Sequence, residues 1–546
     1  MLKNILLISS KILLSLVLFS SCCSKNNNSQ AAYNEDEQQI FIGENIAVAQ
    51  TEYGTVKGFM VRGINVFLGI PYGAPTSGKN RFMPPQPPQP WEGIKATVAY
   101  GPSCPQEMYD RRPASYGMFV DHWNYDLIDE DCLYLNIWTP GIADGKKRPV
   151  MIWLHGGRFL RGNGIEQDGY NGENFSRYGD VVYISLNHRL NSFGFTDFSR
   201  AGGEKYKDSG NAGMLDIIAA LQWVNRNIDK FGGDPNNVTI MGQSGGGSKV
   251  CILATMPAAK GLIHKGVALS GNSIGANYKE YAEGLGELVL VEAGLKPSEI
   301  DKLQELPWEE MMTIANRAER KYRANNRNTS GTGGFSPQAD GFNIPDTFFD
   351  PGDSSIPNIP MIFCTTFNEN PVNRDDASLE DISFDGIVEK LSGNYGDRAM
   401  EIVDAYHNLF PEMRPIEIWS MIVSNRQNVV RTADMKLKQG APVYMAWFGM
   451  GSPLFDGRHK AFHCIDISFW FRNTDLMITH TGGGKRPREL ANKMSEALLN
   501  FMRTGNPNCK ALPNWSQYSI EKGETMILDE VCILKNDPDR SARQLL

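Results

Sequence analysis

The run Val238-Thr239-Ile240-Met241 breaks into Gly242-Gln243-Ser244-Gly245-Gly246, and this junction restricts the fold more than any other stretch of the chain. The four apolar or β-branched residues read as a buried strand. A serine held between such a strand and a following helix sits in a strained turn, so the residues two away on either side must lack a Cβ to avoid collision. Gly242 and Gly246 meet that requirement. Gly245-Gly246-Gly247-Ser248 then opens the helix, whose unpaired N–H groups and positive dipole end favour a developing negative charge. The junction therefore predicts a strand, a tight turn and a helix within a layered sheet, with Ser244 presented as a nucleophile.

The pattern alone discriminates poorly in a chain where 54 of 546 residues are glycine. A second match, Gly271-Asn272-Ser273-Ile274-Gly275, also follows an apolar run, Gly266-Val267-Ala268-Leu269. Context selects Ser244: the strand before it is richer in β-branched residues, three glycines follow it, and a glycine-rich loop lies upstream. Ser273 reads as a loop residue after the next strand.

Val150-Met151-Ile152-Trp153-Leu154 and Val181-Val182-Tyr183-Ile184-Ser185-Leu186 are near-continuously apolar, as buried parallel strands are. Residues 215–224 carry helical spacing between them and the elbow, followed by a turn over 232–237. Such alternation predicts an α/β fold, a large mostly parallel sheet flanked by helices, with reactive groups at the carboxyl ends of the strands. Residues 276–335 and 376–440 read as helix-rich cover near the site opening. Pro84-Pro85-Gln86-Pro87-Pro88-Gln89-Pro90 reads as a stiff surface loop, because strand-like segments continue on both sides. Residues 46–546 are expected to form one domain.

A net charge of -8 provides no basic surface for nucleic acid. Phosphate-cradling loops, dinucleotide fingerprints and zinc-spaced Cys/His clusters are missing from the sequence, so neither metal nor cofactor is expected. At the N-terminus, Lys3 and Lys11 precede the apolar stretch 12–19, which ends at Ser20-Ser21-Cys22-Cys23. This reads as an export signal over 1–21, with small residues before a cysteine as in a bacterial lipoprotein cleavage box. Cys22 would carry the lipid, residues 22–45 would form a flexible tether, and the protein would be membrane-anchored in a bacterial envelope. Seven cysteines follow Cys22 and Cys23, and export makes disulfides possible. If Cys104 and Cys132 pair, they close a loop of about 27 residues, stabilising by roughly 3–4 kcal/mol in the chain-entropy model.

A serine hydroxyl needs a base, and the base an orienting carboxylate. With serine, acid and histidine expected in that chain order, the base lies among His264, His407, His459, His463 and His480. His264 comes too soon and His407 falls in a helical stretch. His459 and His463 both follow the strand-like run Val443 to Phe448. His463 is preferred because it enters an apolar run, whereas His459 lies among Arg458 and Lys460 in a solvated-looking patch. For the acid, Pro360-Met361-Ile362-Phe363-Cys364 leads to Glu369, with Asp340 in Ala339-Asp340-Gly341 as the alternative. His155-Gly156-Gly157-Arg158-Phe159 follows a strand and fits a second oxyanion loop, in which Gly157, Arg158 and Gly245 would donate N–H groups. His155 itself reads as structural. Phe159 and Trp123 are expected to line the substrate pocket.

At this point the chain resembles the type-B carboxylesterases, the family of cholinesterases and bacterial para-nitrobenzyl esterases, over roughly residues 50–535. The resemblance rests on Glu130-Asp131-Cys132-Leu133-Tyr134-Leu135-Asn136, His155-Gly156-Gly157, Asn187 to Leu190, Phe231 to Ile240, the elbow, and Thr504-Gly505-Asn506-Pro507-Asn508. It implies an α/β-hydrolase fold and hydrolysis of small-molecule esters by Ser244, Glu369 and His463. It also implies a Cys104–Cys132 disulfide and a non-catalytic Ser273. Two departures stand out. The third glycine of the anion-hole loop is Arg158, and the glutamate that usually precedes the serine is Gln243. Both argue against a cationic substrate, and Arg158 with Arg161 could favour substrates bearing a carboxylate. The rival readings are a cholinesterase-like binding or adhesion lipoprotein, and a hydrolase of amides, thioesters or lactones.

Overall fold

The computed structural model describes residues 38–107, 127–326 and 331–546. Cys22 and Trp123, with the whole signal and most of the tether, lie outside the described residues. Twelve strands form one sheet. In chain order they are β1 (Ile40–Phe41), β2 (Phe59–Val61), β3 (Ile64–Pro71), β4 (Tyr134–Thr139), β5 (Arg148–Leu154), β6 (Val182–Leu186), β7 (Gly233–Gln243), β8 (Lys265–Leu269), β9 (Met361–Thr366), β10 (Val443–Phe448), β11 (Glu524–Leu528) and β12 (Ile533–Asn536). Across the sheet the order is β1-β2-β3-β4-β6-β5-β7-β8-β9-β10-β11-β12. From β6 to β11 every neighbouring pair is parallel. Both margins are antiparallel, and short turns join β2 to β3 and β11 to β12. Arg62 and Gly63, for example, both take positive φ (46° and 79°) between β2 and β3, the conformation a two-residue hairpin turn requires.

Strand periodicity explains how one sheet serves two cores. In β5, Val150, Ile152 and Leu154 face one apolar cluster, while Met151 and Trp153 face the other. In β9, Met361 and Phe363 join the first, Ile362 and Cys364 the second. The helices α1 (Ala212–Asn227) and α2 (Gly245–Leu253) cover the first face through Ile217, Leu221, Val224, Val250 and Ile252. At the other end of the chain, a long helix over Lys485–Thr504 covers the second face with Leu490, Met494, Leu498 and Phe501. Each large side chain so buried contributes about 1.5–3 kcal/mol. The helix-rich cover expected over 276–335 and 376–440 is present as α3 (Lys279–Ala293), α4 (Trp308–Asn325), α5 (Phe384–Tyr395), α6 (Ala399–Leu409), α7 (Pro415–Ile422) and α8 (Arg426–Leu437). The turn expected over 232–237 is partly strand: Gly233 pairs with Arg148, and the register then shifts before Val238. Among the described residues, no helix is long and apolar enough to cross a membrane.

Two of the sequence motifs turn out to hold buried ion pairs beneath the site. Glu130 accepts from Arg81 Nε at 2.7 Å and Nη2 at 2.5 Å, and the third guanidinium nitrogen donates to Leu303 O. Arg189 forks onto Asp216 of α1 at 2.8 and 2.6 Å and donates to Met83 O. With every nitrogen partnered, neither pair leaves an uncompensated charge inside the protein. Cys104 and Cys132 form a disulfide with a Cα–Cα distance of 5.0 Å.

Candidate active site

β7 runs between β5 and β8 and delivers Ser244 at its carboxyl end. Ser244 has φ 56° and ψ -122°, a conformation that side chains rarely adopt. Its N–H donates to Leu269 O of β8 at 2.8 Å, and its carbonyl accepts from Ser248 N at 3.1 Å in the first turn of α2. The tight turn brings chain against chain. A Cβ on Gly246 would lie 2.0 Å from Leu154 O, and one on Gly242 2.5 Å from the carbonyl carbon of Gly246. The clash argument made from sequence thus has named atoms behind it.

The loop after β5 meets this turn. A Cβ on Gly245 would fall 2.5 Å from Arg158 N, so the amides of the two segments are neighbours. Gly157 and Arg158 both have positive φ, 75° and 57°. Backing this loop is a buried group that sequence reasoning passed over. Lys249, on α2, donates from Nζ to His155 O at 2.9 Å and lies 5.7 Å from the Phe159 ring centroid. Burial pulls its pKa down to about 7, against the opposing pull of Glu166. The signal was present as a lone cation in the apolar helix Gly245–Leu253. His155 is fully buried and stacks on His188 with centroids 4.9 Å apart, in keeping with its structural reading. On the far side, Phe159 O accepts from Asn191 N at 2.7 Å.

Glu369 and His463 arrive from the loops after β9 and β10. These loops are tied together by a bridge between Asn368 and Phe462 and by Asn368 N donating to Ala461 O at 3.1 Å. His463 Nδ1 lies 2.5 Å from Glu369 Oε2, and the other carboxylate oxygen accepts from Thr366 N at 2.9 Å. With Nδ1 engaged as donor, Nε2 is the nitrogen available to take a proton. Burial acts to lower the pKa of His463, but the thiol of Cys464 and the carboxylate of Glu369 outweigh it and hold the imidazole well above its ordinary value. Gln243 sits beside the ring, with its amide nitrogen 3.3 and 3.2 Å from Nδ1 and Nε2. The Gln243 carbonyl oxygen accepts from Cys464 Sγ at 3.2 Å.

Ser244 and Arg158 line two cavities that meet at the turn. One, of about 790 Å³, also contains His463, Glu369, Gln243, Glu166, Arg161 and Arg374. The other, of about 500 Å³, contains Gly245, Phe159, Ser248, Asn272, Asn425 and Asn428.

The alternatives weighed from sequence fall elsewhere or into other roles. Ser273 lies in the loop after β8 and lines the smaller cavity. Asp340 is a turn residue, whose Oδ1 accepts from the backbone N–H groups of Phe342, Asn343 and Ile344. His264 accepts from Val238 N through Nδ1, and His407 belongs to α6. The solvated setting expected for His459 is incorrect. It is 2 % exposed, with the Phe455 ring edge-on at 4.5 Å and Phe462 on another side, and its pKa is depressed to about 4, first by burial. The aromatic neighbours close over it, which charged flanking residues do not reveal. Among the described residues, no group of three or more His, Cys, Asp or Glu side chains is arranged to hold a metal ion.

With this geometry in hand, the chain can be compared with known proteins. The model of the carboxylesterase family matches residues 45–540. Para-nitrobenzyl esterase of Bacillus subtilis (strain 168) is 33% identical over 511 residues, covering 91% of this chain and 98% of that one. Phenmedipham hydrolase of Pseudarthrobacter oxydans is 31% identical over 497 residues, covering 88% and 95%. Among solved structures, an esterase from the anaerobe Clostridium hathewayi that can hydrolyse aliphatic aromatic polyesters superposes with a TM-score of 0.80 at 34% identity, covering 92% of this chain and 98% of that one. A carboxylesterase of Geobacillus stearothermophilus gives 0.73 at 32% identity, covering 91% and 99%.

Proposed function

Because the chain belongs to the carboxylesterase family and is a serine carboxylesterase, we propose that Ser244 is its nucleophile, His463 its base and Glu369 the orienting acid. In this reading the oxyanion hole consists of the N–H groups of Gly157, Arg158 and Gly245. His463 Nε2 takes the Ser244 proton as Oγ adds to the ester carbonyl, and the former carbonyl oxygen becomes an oxyanion held by the three amides. The imidazolium, stabilised by the Glu369 carboxylate, then protonates the departing alkoxide as the carbon–oxygen bond breaks. Water, deprotonated by the same nitrogen, attacks the acyl-serine, and collapse of the second tetrahedral species releases the acid and returns the proton to Oγ. The contact that carries the reading is the 2.5 Å approach of His463 Nδ1 to Glu369, in a cavity that Ser244 also lines. An intact set of all three groups argues against a purely adhesive role.

Relatives named for para-nitrobenzyl esters and aliphatic aromatic polyesters make esters that carry an aromatic ring the natural first substrates. The test is hydrolysis of a para-nitrophenyl ester series by the chain from about residue 33, beside Ser244→Ala. Loss of turnover by a factor of about 10⁴ or more in a folded variant is expected. A variant as active as the wild type would reject Ser244.

The same proposal includes export with a lipid on Cys22. It is supported by the charged, apolar and small-residue succession of 1–21, and by a Cys104–Cys132 disulfide of the kind that persists in oxidising compartments. The full chain expressed in a bacterium should fractionate with membranes, and Cys22→Ser should release or mislocalise it. Wild-type protein that carries no lipid would reject the anchor.

A further inference from the structure

We propose that the smaller cavity beside Ser244 receives an acyl chain ending in a carboxylate, bound by the Arg158 guanidinium, so that half-esters of short dicarboxylic acids are favoured substrates. This deepens the catalytic reading above and rests on Ser244 and His463 acting as stated there. Because His463 must hand its proton to the leaving oxygen, the alcohol portion lies on the His463 side, in the larger cavity. The acyl portion is left the cavity that extends past Phe159 and Ser248 of α2.

The charges lining the two cavities differ. The larger one is lined by Arg158, Arg161 and Arg374 with the buried carboxylates of Glu166 and Glu369, so its charge is mixed. In the smaller one, Arg158 is the single charged residue among the described lining residues. The rest of that wall is hydroxyl, amide and apolar, and its amides are occupied with each other. Asn425 Nδ2 donates to Asn272 Oδ1 at 2.6 Å, Asn428 Nδ2 to Asn425 Oδ1 at 3.0 Å, and Ser248 Oγ to Asn272 O at 3.0 Å. Among the described residues no carboxylate pairs with Arg158, an exposed residue that lines both cavities. Its backbone adds an independent observation. At φ 57° a glycine would be unstrained, so a long cationic side chain is retained there at a conformational cost. A guanidinium is suited to grip a carboxylate with two parallel hydrogen bonds. Since the main chain of the same residue borders the oxyanion site, the carboxylate it reaches must lie only a short chain away from the scissile carbonyl.

The experiment compares kcat/KM for the mono-para-nitrophenyl ester of glutaric acid with that for para-nitrophenyl pentanoate, two acyl groups of equal length. Wild type, Arg158→Gln and Arg158→Lys are measured, each checked for folding by its melting profile. The ratio of acidic to neutral ester cancels changes in the oxyanion hole common to both substrates. It should fall about ten- to a hundredfold in Arg158→Gln, be partly retained in Arg158→Lys, and decline in wild type as salt is raised. An unchanged ratio in Arg158→Gln overturns the proposal. So does a ratio that moves only when the carboxylate is on the leaving group, tested with 4-carboxyphenyl butyrate. Failure of wild type on all three esters would instead overturn the esterase reading of this site.

Discussion

Replacing Gln243 by glutamate would set a carboxylate where an amide nitrogen now lies 3.3 and 3.2 Å from the two nitrogens of His463. The imidazole is already held well above its ordinary value, with burial opposing and Cys464 and Glu369 prevailing. In the proposed mechanism His463 works only when neutral, so kcat/KM should rise with pH through an inflection above the ordinary imidazole value of 6.5. In Gln243→Glu this acid limb should move upward by on the order of one pH unit, leaving less active enzyme near neutrality. An unmoved limb would show that the Gln243 side chain is remote from the base in solution. The raised pKa has a second consequence with the opposite pH sense. A group that binds its proton more tightly when folded stabilises the fold at low pH, and that contribution fades as pH climbs through the folded value. At this scale, what sequence revealed depended on whether the constraint was local. The need for glycine at 242 was legible because the collision it avoids, with Gly246, arises within five residues, whereas Gly246 itself makes room for Leu154 O on a neighbouring strand. The neighbours of His459 in sequence suggested a solvated ring, and they misled because Phe455 and Phe462 enclose it.

The strand–helix joint is backed by a charge that costs stability and holds a loop. Lys249 must shed or bury its proton, and its pKa falls from 10.5 to about 7. The unfolded chain therefore binds a proton between those values that the folded chain does not, and this penalty shrinks as pH rises toward 10.5. Lys249→Met should accordingly melt higher than wild type near pH 7, with the advantage narrowing toward pH 10. It should also turn over about tenfold more slowly, because His155 O loses its partner and the anion-hole amides lose their backing. Equal kcat in the two proteins would mean that the loop is held by Asn191 and the histidine stack alone. The element boundaries were readable from periodicity, as with α1 and β5. The lysine was not, because whether a single charge on an apolar helix is buried depends on which loop packs over it.

For the molecule as a whole, the sheet order and the antiparallel β3–β4 and β4–β6 pairs join strands distant in sequence, and only the parallel centre was foreseeable from apolar runs. The disulfide joins residues 28 apart in sequence, and Cys132 lies two residues before the start of β4. In Cys104→Ser, stability should fall by about 3 kcal/mol, read as an earlier melting transition and faster thermal inactivation. An unchanged transition would mean that the bond does not form in the protein as made. The tie between Asn368 and Phe462 has a longer reach. Glu369 and His463 stand 94 residues apart in sequence, yet the chain leaves and re-enters the site at adjoining points. Everything between them apart from β10 is an excursion of helices and loops that departs from one side of this bridge and comes back to the other. Such an excursion can be lengthened, trimmed or exchanged over evolutionary time while the proton relay stays in register, which makes it the natural ground on which descendants of this chain would diverge in what they accept.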